Sequence, residues 1–238
     1  MKLKNTLRPK NTLKAALFGL GLAMLGSSAQ AGNLTFALDG GVYQNFSVAP
    51  AIYYSQILAP NLGVNAFVSG KYTLLSPDSI RSGGLGASLN YAIPIVRDNE
   101  SFFEGFTNIG FSYDIFANQG DPFLGVGVRG SLKFLPNARA FAATTLQLPW
   151  DTNKGQLRTN LNGYIGAQVD LIPNLETTAQ FDYTYRFNPA NVNRAFSFNA
   201  RAIIFYTVLP DFKVGGFAGY NTRDQWYVTL GLRYSIKI

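Results

Sequence analysis

Neither histidine nor cysteine occurs in the 238 residues of this chain. That removes an imidazole base, a Ser-His-Asp triad, a histidine-held zinc, a thiol nucleophile and a thiolate metal site in one step. Carboxylates, guanidiniums and ammoniums are left to do chemistry. Arg129, Arg158, Arg186, Arg201 and Arg233 each stand beside an apolar residue, as an arginine does on the polar side of an amphipathic element. A guanidinium presents a planar fork of donors that fits a carboxylate or phosphate, so these positions suit anion recognition or internal ion pairing. Asp182 with Arg201 and Asp39 with Arg233 are the candidate internal pairs. Arg129, Arg158 and Arg186 remain for a solute. A Ser-Lys or carboxylate-only enzyme is the surviving catalytic option, but Asp114, Asp121 and Asp151 sit where aspartate ordinarily shapes a turn. No catalytic residue, cofactor or metal centre is expected.

The elements that carry these residues have a period of two. Val228, Leu230, Leu232, Tyr234, Ile236 and Ile238 alternate with Thr229, Gly231, Arg233, Ser235 and Lys237, which describes a strand with one apolar and one polar face. Turns recur as Ala59-Pro60-Asn61, Leu135-Pro136-Asn137, Ile172-Pro173-Asn174 and Leu209-Pro210-Asp211. The prolines at 136, 173 and 210 are 37 apart, Pro60 lies 76 before Pro136, and Arg97-Asp98-Asn99-Glu100 fills the missing place. Each period holds two alternating segments, so the repeating unit is a β-hairpin. Proline followed by Asn or Asp suits its tight turn.

Counting from these turns gives twelve strands: 33–43, 50–58, 63–75, 82–96, 101–116, 123–135, 139–149, 156–171, 175–187, 195–208, 212–221 and 225–238. In the second, Ile57 breaks the alternation. An even number of antiparallel strands with both ends on one side is the layout of a bacterial outer-membrane barrel, and the Pro-Asn turns become its short periplasmic turns. The external loops then fall near 44–49, 76–81, 117–122, 150–155, 188–194 and 222–224.

At the other end, Lys2, Lys4, Arg8, Lys10 and Lys14 precede an apolar run, 15–26, that closes on Ser27-Ser28-Ala29-Gln30-Ala31. This has the form of a secretory signal peptide, too short to span a bilayer, cleaved after Ala31. The mature domain is then 32–238. Five of the twenty Lys+Arg and none of the thirteen Asp+Glu lie in that leader, which leaves fifteen against thirteen, a net charge of +2. The basic composition therefore gives no argument for nucleic acid. No segment after the leader is apolar for long enough to form a membrane helix.

Sorting each strand by parity yields one apolar face, including Leu34, Phe36 and Leu38, Leu85, Leu89 and Ile93, and Leu161, Ile165 and Val169. On that face Tyr72, Tyr113, Trp150, Tyr185, Phe187, Phe196, Tyr220 and Trp226 fall toward the external loops. Phe36, Tyr54, Tyr91, Phe103, Phe134, Tyr206 and Tyr234 fall toward the turns. Two aromatic bands around an aliphatic one match the interfacial girdles of membrane barrels. The last strand, with Tyr234 four places before the end, resembles the C-terminal assembly signal of bacterial outer-membrane proteins, although Ile238 stands where Phe is usual. The resemblance is to small, porin-like barrels. It implies outer-membrane lipid as surroundings and the barrel-assembly machinery as a partner.

The opposite parity assigns to the lumen Asp39, Lys71, Arg81, Glu104, Asp114, Arg129, Lys133, Arg139, Arg158, Asp170, Glu176, Asp182, Arg186, Arg201, Lys213, Arg233 and Lys237, eleven basic and six acidic. Such an excess favours anionic solutes, and Arg129, Arg201 and Arg233 are expected near mid-height. About the turns, Lys133 faces Arg139 and Asp170 faces Glu176. These like-charged pairs suit a rim of interlocked salt bridges, or a cation between the two carboxylates. Twelve strands lie between filled and open barrels, and small residues alternate with Phe67, Phe106, Tyr164, Phe217 and Tyr227. Two functions fit: a narrow diffusion channel for small solutes, and a structural or partner-docking envelope barrel without an open pore.

Overall fold

The computed structural model describes residues 32–42, 46–73, 81–187, 195–222 and 225–238. The expected leader, 1–31, lies outside the described residues. The strands are β1 (Asn33–Val42), β2 (Phe46–Ala59), β3 (Leu62–Thr73), β4 (Arg81–Arg97), β5 (Ser101–Asp114), β6 (Gln119–Leu135), β7 (Ala138–Asp151), β8 (Gln156–Leu157), β9 (Asn160–Ile172), β10 (Leu175–Arg186), β11 (Phe196–Leu209), β12 (Phe212–Asn221) and β13 (Gln225–Lys237). The two-residue β8 pairs with the end of β7 in the register of β9 and extends that strand. The other twelve pair antiparallel with their neighbours, β13 with β1 and β6 with β7 included, so the sheet closes on itself. All twelve expected strands are present. β2 begins four residues earlier than expected, because Phe46–Ala49 continues the ladder opposite Val42.

The Pro-Asn turns are two-residue connections, and Asn174 takes the left-handed conformation (φ 69°) that asparagine tolerates better than most residues. Beside each of the five periplasmic turns the register shifts by one residue, leaving out Leu58, Ile95, Phe134, Leu171 and Val208 in turn. These are β-bulges; Ile57 lies before the first and keeps the inward register, opposite Gly63. Carbonyls beyond the ladder would lose their partners. Here the carbonyls of Asn61, Glu100, Asn137, Asn174 and Asp211 accept from the amides of Ala92, Lys133, Asp170, Thr207 and Ser235 in the adjoining hairpins. Gly32 and Ile238 exchange two backbone bonds at the seam, 2.7 and 2.9 Å. A continuous hydrogen-bonded rim results.

Following directly opposed residues around the circuit separates two faces. Arg81 apart, no charged residue shares the outward parity among the described strands. Leu230 and Trp226 on that face are 75% and 76% exposed. A ring of exposed aliphatics this continuous is unsuited to water and fits the hydrocarbon band of an outer membrane. The external girdle is in contact over several strands: Tyr185 with Phe187 (5.1 Å), Phe181 with Phe198 (5.6 Å), Phe198 with Tyr220 (5.9 Å) and Tyr220 with Trp226 (5.3 Å). Tyr54 departs from the periplasmic band: it is buried with Val64 and Ala66 and donates its hydroxyl to Gln56.

Candidate functional site

The inward face holds nearly all the charge, arranged as three networks. In the first, Glu104 on β5 lies opposite Arg129 on β6. Glu104 is 3% exposed, accepts from Arg129 Nε at 2.5 Å and from Arg97 Nη2 at 3.1 Å. The Arg129 guanidinium also lies 5.4 Å from the Phe106 ring, a cation–π contact. Phe106 in turn lies on Gly127, where a Cβ would come within 2.9 Å of the ring. Other inward rings lie on glycines in the same way, Phe67 on Gly86 and Phe141 on Gly166. The aromatics therefore line the wall rather than crossing the lumen.

The second network spans the seam. Arg233 on β13 grips Asp39 on β1 with both ends of its fork, Nη1–Oδ1 at 2.5 Å and Nη2–Oδ2 at 2.9 Å, and its guanidinium lies 5.1 Å from the Phe205 ring. Next to it Lys213 on β12 pairs with Glu176 on β10. Asp170, directly opposite Glu176, accepts from Gln168 Nε2, and the Gln168 oxygen takes two bonds from Arg139. Asp170 and Arg139 thus compensate each other through an amide. Glu176 is held by an ammonium, which leaves the two carboxylates ill-suited to share a cation.

The third network crosses β10 and β11. Arg201 lies opposite Gln180, one inward step from Asp182. Its Nε comes within 3.2 Å of Asp182 Oδ2 but without hydrogen-bond alignment, so the pair is electrostatic. Asp182 receives its best bond from Gln180 Nε2, 2.5 Å. Asn199 reaches Asp182 at 3.4 Å and takes the Tyr227 hydroxyl at 2.6 Å.

Arg158 keeps the inward register expected of it, at the external end: β8 and β9 follow one register on β7, and between them the Arg158 amide donates to the Pro149 carbonyl. There it pairs with Asp151, a 1% exposed carboxylate that also accepts from the Asn153 and Lys154 amides and from Gln119 Nε2. Asp151 so clasps the external loop, with Arg158 as the cation of that clasp. Two other assignments change. Arg81 pairs with Tyr72 and takes the outward parity. Arg97, read as a turn residue, is turned inward because the bulge at Ile95 reverses the parity of the last two residues of β4. Arg186 keeps its inward register opposite Asn160, at the external end of β10.

No known protein-family model and no characterised relative matches this sequence. Solved structures do resemble the fold. The NanC porin superposes with a TM-score of 0.63 at 11% identity, over 86% of this chain and 100% of its own. The KdgM porin gives 0.55 at 11% identity, over 85% of this chain and 99% of its own, and one of its structures is a complex with disordered oligogalacturonate. At such identity the likeness concerns the fold, which is that of porin-like outer-membrane barrels.

Proposed function

We propose that the chain is an outer-membrane diffusion channel for small anionic solutes, acting without catalysis. One observation carries this reading. Arg129 on β6 and Arg233 on β13 sit six places apart in a circuit of twelve strands, on opposite walls. Strands about 4.8 Å apart and tilted about 40° give a circumference of roughly 75 Å and a backbone diameter of roughly 24 Å. Two arginine side chains reaching in from opposite sides leave a gap on the order of 10 Å, wide enough for a small hydrated solute. Each guanidinium is braced by one carboxylate and one phenyl ring, so it keeps its position as a solute passes. Inward-facing Tyr53 and Phe67 are 49% and 37% exposed, as in a wetted lumen. The oligogalacturonate found with the KdgM porin belongs to the anionic class proposed here. Insertion by the barrel-assembly machinery through β13 is part of the same reading.

The test is the reversal potential of the reconstituted protein in a salt gradient. Arg129→Gln together with Arg233→Gln should shift it away from anion preference, while heat-dependent gel mobility reports a folded barrel. An unchanged reversal potential would remove the selectivity claim. A folded native barrel that carries no current would remove the channel.

A further inference from the structure

At the periplasmic rim three cross-strand pairs bring like charges face to face: Lys213 with Arg233, Asp170 with Glu176, and Lys133 with Arg139. Like charges directly across a ladder repel. The lysine and arginine of the first pair each meet a carboxylate of their own, Glu176 and Asp39. The second is relieved by Lys213 and by the Gln168 amide. The third has no such relief. Arg139 spends Nε and Nη2 on the neutral oxygen of Gln168, at 3.1 and 2.8 Å. Lys133 meets no carboxylate among the described residues.

Both cations line a cavity of about 700 Å³ that also takes in Arg97 and Arg129. Four carboxylates share that lining, Asp98, Glu100, Glu104 and Asp170, so its formal charge is balanced. Its hydrogen-bonding capacity is not. Glu104 lies between two arginines. Asp98 accepts from the Glu100 and Ser101 amides and from the Ser101 hydroxyl, and Asp170 accepts from Gln168. Only Glu100 stands exposed on the turn without a side-chain partner among the described bonds. Arg97 and Arg129 give Glu104 one donor each, and a guanidinium has five. The unspent groups are therefore mainly donors: the Lys133 ammonium and the remaining N–H groups of Arg97, Arg129 and Arg139.

We propose that this cavity is an oxyanion subsite at the periplasmic mouth, where a carboxylate of a passing solute pauses between Lys133 and Arg139. The carboxylate supplies the acceptor that the like-charged pair lacks, and Arg129 lies on the same lining to hand it toward the lumen. This rests on the channel reading, and deepens it by placing a binding step at one end of the pore, beside Arg129.

The experiment uses the whole barrel in planar bilayers, carrying chloride, with succinate added to one compartment at a time. Succinate on the periplasmic side should block at a severalfold lower concentration than on the external side, since it enters the mouth site directly there instead of through the length of the lumen. Lys133→Gln with Arg139→Gln should abolish the difference between sides, and Lys133→Arg should keep it. The Lys154→Gln variant, which lacks a cation of the external loop, should be blocked as the native protein is. Equal block from both sides of the native protein, or unchanged block in the double variant, would overturn the subsite. If the folded barrel carries no current, the channel reading fails. Calorimetric titration of succinate into the detergent-solubilised protein then decides the subsite: binding lost in the double variant upholds it, and no binding to the native protein overturns it.

Discussion

Replacing Glu104 by glutamine tests the lumenal architecture at its most committed point. Glu104 is 3% exposed and accepts from two arginines, at 2.5 and 3.1 Å. In the Glu104→Gln variant the new amide oxygen keeps one of these bonds, while the amide NH2 meets the other guanidinium donor to donor. Breaking a fully buried pair by removing one partner costs about 3–5 kcal/mol. Here the side chains of Arg97 and Arg129 are 58% and 44% exposed, so water takes up much of the freed charge and the loss falls to about 2 kcal/mol. Arg97→Gln should cost less than about 1 kcal/mol, because Glu104 keeps Arg129 and the lost partner is more than half in solvent. The two tryptophans, Trp150 and Trp226, report unfolding by fluorescence, and the shift in urea midpoint multiplied by its slope gives the difference in stability. The lumen also gains one net positive charge, so the reversal potential should move toward stronger anion preference. Glu104→Gln destabilising no more than Arg97→Gln would refute the view that this carboxylate anchors the network. A move toward cations would refute its electrostatic role.

Two glycines, Gly127 on the inward wall and Gly40 on the outward face, give a second prediction. A Cβ at Gly127 would lie 2.3 Å from the Thr144 carbonyl oxygen and 2.9 Å from the Phe106 ring, whereas one at Gly40 meets nothing within 4 Å. Gly127→Ala should therefore lower stability by about 1–3 kcal/mol, and Gly40→Ala should leave the urea midpoint unchanged or slightly raised. Equal effects would disprove the close packing of Phe106. The turn at 98–100, the one without proline, gives a pH dependence. The Glu100 amide, then the Ser101 hydroxyl and amide, hold the Asp98 carboxyl below its ordinary range. A carboxylate with a lowered folded pKa stabilises above its unfolded pKa, and that contribution disappears as pH falls through the folded value. The amides of Glu100 and Ser101 should lose hydrogen-exchange protection below about pH 4, and Asp98→Ala should remove that protection at neutral pH. Protection that does not vary with pH would contradict the assignment.

The strand count and the division into an apolar and a polar face were legible in the sequence because both follow from a period of two, repeated between turns of one composition. Twelve strands and their pairing order emerge from that alone. The segment 156–159 continues the alternating pattern and keeps the register of β9 on β7. What periodicity did not show is the partner of Arg158, because Asp151 gathers Arg158, two amides and Gln119 at one acceptor. Side-chain bonding of this kind leaves little trace in periodicity. The Glu104–Arg97 contact was missed because Arg97 was read as part of the turn, whereas β4 runs through it and the bulge at Ile95 resets its parity.

That bulge had a signal after all. Before each periplasmic turn two apolar residues stand side by side on the outward face: Leu58-Ala59, Ile95-Val96, Phe134-Leu135, Leu171-Ile172 and Val208-Leu209. Strict alternation would send one of each pair into a polar lumen. Instead every pair holds one residue skipped by the register, and both members are exposed, the large ones from 36% for Leu58 to 61% for Leu171 and Leu209. The physical cause is the cost of an aliphatic facing inward, which one unpaired ladder position removes by turning both side chains toward lipid. Adjacent apolar residues one to three places before a turn therefore mark where parity must be restarted. Restarted at Ile95, the count sends Val96 outward and Arg97 inward, beside Glu104, and the buried carboxylate acquires its second guanidinium from the sequence itself.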